Sequence, residues 1–188
     1  IFEMKDEESN EIDSFRDFEV VKTLISDLSI LRKKISISDV EAIIFDFDGV
    51  LTDNFVYTSE DGKESVRCNR SDGYSLELLK NLGLQIFILS SEVNSVVSRR
   101  ANKLKVKFVK GSKDKLKDLN KICKKYGLQL KKLIYVGNDI NDLDAMRNCG
   151  FSIAVKDAVQ EIKNEADFVL NSYGGDMVAR EILNNLLE

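Results

Sequence analysis

The chain has 188 residues, 43% of them hydrophobic and 32% charged, with a formal net charge of −4 and no histidine. That balance suits a folded core and argues against a nucleic-acid surface. No apolar run nears the roughly 20 residues needed to cross a bilayer as a helix, and the lack of histidine leaves acid–base work to carboxylates, lysines or tyrosines.

Residues 1–13 are acidic and irregular, unlike a signal peptide, and the first residue is Ile, so a fragment or processed chain is expected. A helix is predicted from Asp13 or Ser14 to about Leu28, with Phe15, Phe18, Val21, Leu24, Ile25 and Leu28 as its apolar stripe. The polar link Arg32–Asp39 follows, dividing an N-terminal tail and helix, 1–38, from a main domain, 39–188. Strands are predicted over 41–47, 84–89, 106–109, 133–137, 151–155 and 167–170, and helices over 72–82, 92–104, 114–126, 140–149 and 175–187. Gly83 and Gly127 stand where helix C-terminal caps belong. The alternation predicts the α/β class: a Rossmann-like three-layer sandwich around a parallel central sheet.

Phe55–Cys68 breaks that rhythm, and Asp61-Gly62 signals a β-hairpin there. The hairpin would project over the carboxyl edge of the sheet, as surface decoration, a lid or a subunit contact. Cys68, Cys123 and Cys149 are odd in number and scattered, as in reduced core thiols of a cytoplasmic protein.

The most informative segment is Phe45–Asp53, FDFDGVLTD, which follows the apolar Ala42–Ile44. Residues two apart on a strand share a side, so Asp46 and Asp48 leave its end together and Gly49 allows a sharp turn. Paired carboxylates at a buried strand end are costly unless positive charge lies between them. A divalent cation and a phosphate ester would account for the pair. Ligands of open α/β sheets bind at the strands' carboxyl ends. There the sequence sets Ser90-Ser91, then Gly111–Lys115, then Gly137–Asp142, GNDIND. Taken singly, Ser90 could cap a helix, Lys115 could be a solvated lysine, and Asn138, Asp139 and Asp142 could be a loop with a cap. Together they form the polar set of phosphoryl transfer.

With these motifs the chain resembles the haloacid dehalogenase (HAD) superfamily of phosphatases over about residues 41–185. More narrowly it resembles the phosphatases of 3-deoxy-manno-octulosonate 8-phosphate and 2-keto-3-deoxynononate 9-phosphate. DGVLTD, the hairpin, CNRSDGYSLELL at Cys68–Leu79, DKL at Asp114–Leu116 and GGDMVARE at Gly174–Glu181 carry that likeness. Such relatives are capless and close their sites as homotetramers. The resemblance implies a Mg²⁺ enzyme in which Asp46 is the nucleophile and Asp48 the general acid and base. Ser90 and Lys115 would hold the phosphoryl oxygens, and Asp142 would orient Lys115 or a metal-bound water. The metal would be held by Asp46, Asp48 (through its carbonyl) and Asn138. Many relatives have aspartate at the last position, so weaker metal affinity is expected, with Asp139 as the alternative ligand.

The implied substrate contacts are Asn69, Arg70, Asp72, Ser91, Glu92, Lys103 and Arg180. The Glu92/Lys103 pair is similar to that of the nine-carbon-acid enzymes, whereas the octulosonate enzymes tend to have glycine and arginine where Ser91 and Glu92 stand. The expected substrate is therefore 2-keto-3-deoxynononate or N-acylneuraminate 9-phosphate, with octulosonate 8-phosphate next. On one helix Glu92 and Lys103 would lie roughly 16 Å apart, so a neighbouring subunit would have to bring them together. Asn10–Ile25 resembles the closing segment of acylneuraminate cytidylyltransferases, which implies a fused cytidylyltransferase domain; a private N-terminal helix is the plainer alternative. In such a fusion the module could serve only for oligomerisation, yet Asp46, Asp48, Ser90 and Lys115 are all present. A phospho-aspartate receiver is disfavoured by Asp48, because receivers lack a partner two residues after their nucleophile.

Overall fold

The computed structural model describes residues 35–187; the expected N-terminal helix and the cytidylyltransferase-like segment lie outside the described residues. In chain order the strands are β1 (Ala42–Phe45), β2 (Thr52–Thr58), β3 (Glu64–Cys68), β4 (Gln85–Leu89), β5 (Lys107–Val109), β6 (Leu133–Gly137), β7 (Phe151–Ala154) and β8 (Phe168–Val169). The helices are α1 (Arg70–Asn81), α2 (Ser95–Leu104), α3 (Lys115–Tyr126), α4 (Leu143–Asn148), α5 (Gln160–Glu165) and α6 (Val178–Glu181).

Every residue of β1 and β6 is buried, so both faces of the sheet are covered there. β1 pairs in parallel with β4 on one side and β6 on the other. The full order is β5-β4-β1-β6-β7-β8, all parallel. The chain thus reverses its direction of travel across the sheet between β1 and β6, the switch point where such sheets open a crevice. The expected fold class is the one observed. Among the described residues the only excursion between β1 and α1 is the β2–β3 hairpin, so the architecture is capless.

The hairpin forms a separate two-stranded sheet, with most of β2 exposed. Gly62 takes φ +75° at its turn, as Asp61-Gly62 predicts.

The helices differ from expectation mainly at their ends. α2 begins at Ser95 rather than residue 92 because Asn94 caps it, accepting from Val96 N at 3.0 Å. The predicted helix 140–149 divides into a 3₁₀ turn, Ile140–Asp142, and α4. The predicted helix 175–187 shrinks to α6 followed by a π-helical stretch, Ile182–Leu186. The six-residue α5 has only Ile162 buried, too few positions for a periodic signal. Cys123 and Cys149 are buried free thiols, whereas Cys68 is half-buried.

Candidate active site

The carboxyl ends of β1, β4 and β6 each deliver one buried polar residue: Asp46, Ser90 and Asn138. Asp46 still belongs to the strand ladder, since its N–H donates to Val136 O at 3.0 Å. Gly49 follows with φ +82°, and a Cβ there would fall 2.0 Å from the Asn138 amide. Only glycine lets the turn after Asp48 press against the end of β6.

Lys115 opens α3 directly behind Asp46. It is 4% exposed, and its Nζ lies 2.9 Å from Asp46 Oδ1 and 2.6 Å from Asp142 Oδ1. Asp142 is fully buried and saturated with donors. Besides Lys115, the Tyr135 hydroxyl donates to Oδ1 at 2.8 Å, and the N–H groups of Asn138 and Asp139 donate to Oδ2 at 3.0 and 3.3 Å. A buried ammonium is retained only where such partners offset its desolvation. Burial works against the Lys115 charge, but Asp46 and Asp142 outweigh it and hold its pKa above the usual value. Asp46 moves the other way from an ordinary carboxylate. Burial and the nearby Asp142 push it up to about 7, against the pull of Lys115. Asp48 is less enclosed, and burial followed by the Glu92 charge raises its pKa. An upward shift moves a carboxyl toward the proton-carrying form that a general acid needs.

Ser90 Oγ accepts from Glu92 N at 3.0 Å while Asn94 caps α2, so Ser90 is not that helix's cap. It also lines a cavity of about 120 Å³ together with Asp46, Asp48, Asn54, Ser91, Glu92, Asn138, Asp139 and Asn141. A neighbouring cavity of about 210 Å³ under the hairpin shares Asp48, Asn54 and Glu92 with it.

The donors in this cavity fit a hard cation. The Asn138 amide terminus stands 3.1 Å from both Asp46 Oδ2 and the Asp48 carbonyl oxygen. In one orientation its NH₂ donates to both. In the other its oxygen faces two more oxygens, near the roughly 2.9 Å separation of adjacent ligands around octahedral Mg²⁺. Among the described residues no group of three or more carboxylates and thiols could hold a metal; this donor set is mixed, one carboxylate, one main-chain carbonyl and one amide. Asp139 Oδ1 accepts from Ile140 N at 2.7 Å and caps the following turn, which leaves Asn138 as the better third donor.

Of the residues expected to contact substrate, Ser91 and Glu92 line the cavity and five lie elsewhere in this chain. Asp72 is turned into the protein, where Oδ1 accepts from Ala179 N at 2.8 Å at the start of α6. Asn69 caps α1, accepting from Ser71 N, and its Nδ2 reaches Asp176 at 3.4 Å. Arg70 and Lys103 line a separate groove with Lys80, Arg100 and Lys105. Arg180 stacks over Tyr74 at 5.7 Å. The α1 register explains these displacements: its first turn faces α6 and α2, not the ends of the strands. Glu92 lies before α2 rather than on it, so the two do not share a helix as expected, and Lys103 lines a different groove from the cavity of Glu92. Tyr135, Asn141 and Asn54 went unnoticed in the sequence. Tyr135 sits in an apolar strand like any core aromatic, and the polar GNDIND run gives no reason to single out Asn141.

An open parallel sheet, an aspartate pair on its central strand, and a buried lysine held between two carboxylates define a phosphatase of the haloacid dehalogenase type. The family comparison agrees: residues 86–182 match the model of haloacid dehalogenase-like hydrolases. Over 153 residues the chain is 31% identical to the 3-deoxy-D-manno-octulosonate 8-phosphate phosphatase of Haemophilus influenzae, covering 81% of this chain and 85% of that one. The solved Moraxella catarrhalis enzyme of the same name, in complex with magnesium, phosphate and KDO, is 30% identical with a TM-score of 0.75, over 77% of this chain and 84% of that one. An HAD family hydrolase from Streptomyces avermitilis is 38% identical with a TM-score of 0.77, over 79% and 86%. This chain belongs to the haloacid dehalogenase-like hydrolases. It is an enzyme of their capless phosphatase type, with a site suited to Mg²⁺ or a related divalent cation.

Proposed function

We propose that the protein hydrolyses the phosphate monoester of a 2-keto-3-deoxy sugar acid through an aspartyl-phosphate. The observation that carries this reading is Asp46, buried at the end of β1 with Lys115 at 2.9 Å and Asp48 lining the same cavity. Asp46 attacks phosphorus and displaces the alkoxide, which takes its proton from Asp48. Asp48 then accepts a proton from the water that cleaves the acyl phosphate. Ser90 and Lys115 hold the phosphoryl oxygens, and Asp142 fixes Lys115. Asp46, the Asp48 carbonyl and Asn138 would hold the cation, which supplies positive charge at the transferring phosphoryl group and favours the ionised form of Asp46. Asn138 in place of a carboxylate lowers the charge of the donor set, so weaker Mg²⁺ affinity is expected.

The octulosonate enzymes among the relatives support 3-deoxy-manno-octulosonate 8-phosphate as substrate. One observation favours a nine-carbon acid instead: Glu92 lines the cavity at the position where octulosonate enzymes tend to carry arginine. Phosphate release from octulosonate 8-phosphate, 2-keto-3-deoxynononate 9-phosphate and N-acetylneuraminate 9-phosphate, with Mg²⁺ or after chelation, decides between them. Turnover of at least one substrate is expected, lost on chelation and restored by Mg²⁺. The Asp46→Asn variant should lose roughly 10³-fold or more in kcat; near-normal turnover by it would refute the mechanism.

We further infer a homotetramer. Phe55, Val56 and Tyr57 are exposed on the hairpin, Phe55 at 71%, and Phe55 and Tyr57, two apart on a strand, share a face, the kind of exposed apolar surface that marks contact sites. In such an assembly Lys103 of one subunit could approach Glu92 of another.

A further inference from the structure

The hairpin reaches the catalytic cavity through Asn54. This residue lies where the pairing of β2 with β3 shifts register between Thr52 and Val56. Its backbone is left-handed, with φ +64°. A bulge re-aims the side chain it carries, and asparagine is one of the few residues besides glycine that hold this conformation. Here the side chain lines both the 120 Å³ phosphoryl cavity and the 210 Å³ cavity beyond it. Asn54 is exposed, and its side-chain amide has no hydrogen-bond partner among the described residues; its backbone N–H donates to Thr52 Oγ1 at 3.4 Å. Its Cγ lies 3.3 Å from where a Cβ on Gly49 would stand, against the turn that carries Asp48. Beyond it, Phe47, Val66, Val96 and Val97 form an apolar wall, while Glu64 and Glu92 bring negative charge.

We propose that Asn54 is a substrate-binding residue whose amide hydrogen-bonds a hydroxyl of the leaving alcohol close to its phosphorylated carbon. The position follows from the two cavities: phosphorus lies beside Asp46, the alcohol extends past Asp48, and Asn54 stands where the spaces join. An amide both donates and accepts, as a hydroxyl does. Unlike Asp48, Glu64 and Glu92 around it, it adds no charge to repel an anionic ligand. A site that hydrogen-bonds a substrate hydroxyl discriminates against analogues lacking it. This assignment rests on the sugar-phosphate reading and adds to it the group that senses hydroxylation.

The test compares wild type with Asn54→Gly on octulosonate 8-phosphate, nononate 9-phosphate and p-nitrophenyl phosphate, whose leaving group bears no neighbouring hydroxyl. Glycine takes φ +64° freely, so the variant should fold with a melting temperature at or above that of wild type. On the sugar phosphates kcat/KM should fall about tenfold more than on p-nitrophenyl phosphate, chiefly through KM. Asn54→Asp keeps the backbone conformation but adds charge, and should lose still more on the sugar phosphates. Equal losses on both substrate classes, or a smaller loss for aspartate than for glycine, overturn the assignment. A wild type that cleaves p-nitrophenyl phosphate and neither sugar phosphate defeats the substrate reading itself, a failure visible without any Asn54 variant.

Discussion

Two buried groups show how single side chains set the behaviour of the site and its surroundings. Tyr135 donates to the Asp142 carboxylate from a fully enclosed position. Tyr135→Phe deletes that bond and leaves Asp142 with Lys115 and two main-chain donors. A loss of about 1–3 kcal/mol in urea unfolding is expected, with a modest fall in kcat as Lys115 loosens. Asp72 behaves differently. Burial pushes it up to about 6, against the N–H groups of Ala179 and Arg180, and its Oδ2 has no partner among the described residues. A carboxyl whose folded pKa exceeds its unfolded 3.8 is protonated preferentially in the fold. Its contribution is whole below about pH 4 and is lost as pH rises to 6, costing up to about 3 kcal/mol once it is ionised. Asp72→Asn should therefore gain on wild type between pH 4 and 6 when stability is measured by urea titration; parallel profiles would contradict this. The gathering of Asp46, Asp48, Ser90, Lys115 and Asp142 at one edge of the sheet was legible in the sequence, because each lies at, or in the segment just after, a strand's carboxyl end. Asp72 and Arg180 were not. Their places depend on how α1 meets α6, a long-range packing choice that local patterns do not encode.

At the level of elements, the segment before α6 is locked to the loop after β1. A Cβ on Gly174 would lie 2.1 Å from Gly49 O and 2.7 Å from Gly49 C. Asp157 also accepts from Gly174 N at 2.8 Å. Main-chain atoms on both sides cannot yield as a flexible side chain would, so Gly174→Ala must displace the turn that carries Asp48. The expected outcome is a stability loss of about 2–4 kcal/mol with a fall in kcat/KM beyond that of the unfolded fraction. Thermal melts and steady-state kinetics on one preparation would separate the two effects. The sequence foretold the strands well, since β6 spans 133–137 as expected and β4 and β5 begin within a residue. Helix ends were harder: Asn94 and Asp114 take the cap positions just where an amphipathic pattern continues through them. α5 and α6 are too short for periodicity to report, and they depend on the sheet for their stability.

The whole molecule poses the question of assembly. A homotetramer would have a mass near four times 21.3 kDa. Phe55→Glu with Tyr57→Glu should shift sedimentation to a single copy if the hairpin forms the contact. Unchanged tetramers would move the interface elsewhere, and a wild-type monomer would remove the assembly. The capless design agrees with what the resemblance implied: among the described residues the chain between β1 and α1 holds the hairpin and no further domain.

That ribbon is hydrogen-bonded to itself and not to the six-stranded sheet. The groups placed around phosphorus thus stand at the ends of the parallel strands, while the proposed hydroxyl contact of Asn54 comes from an appendage with its own ladder. Substitutions along the ribbon can accordingly retune which phosphate is accepted while the phosphorus-handling groups keep their places. The ribbon is tied to the catalytic turn at its base, where Thr52 Oγ1 accepts from Gly49 N at 3.1 Å, so a library confined to residues 55–66, beyond that anchor, should yield altered preference more often than dead protein.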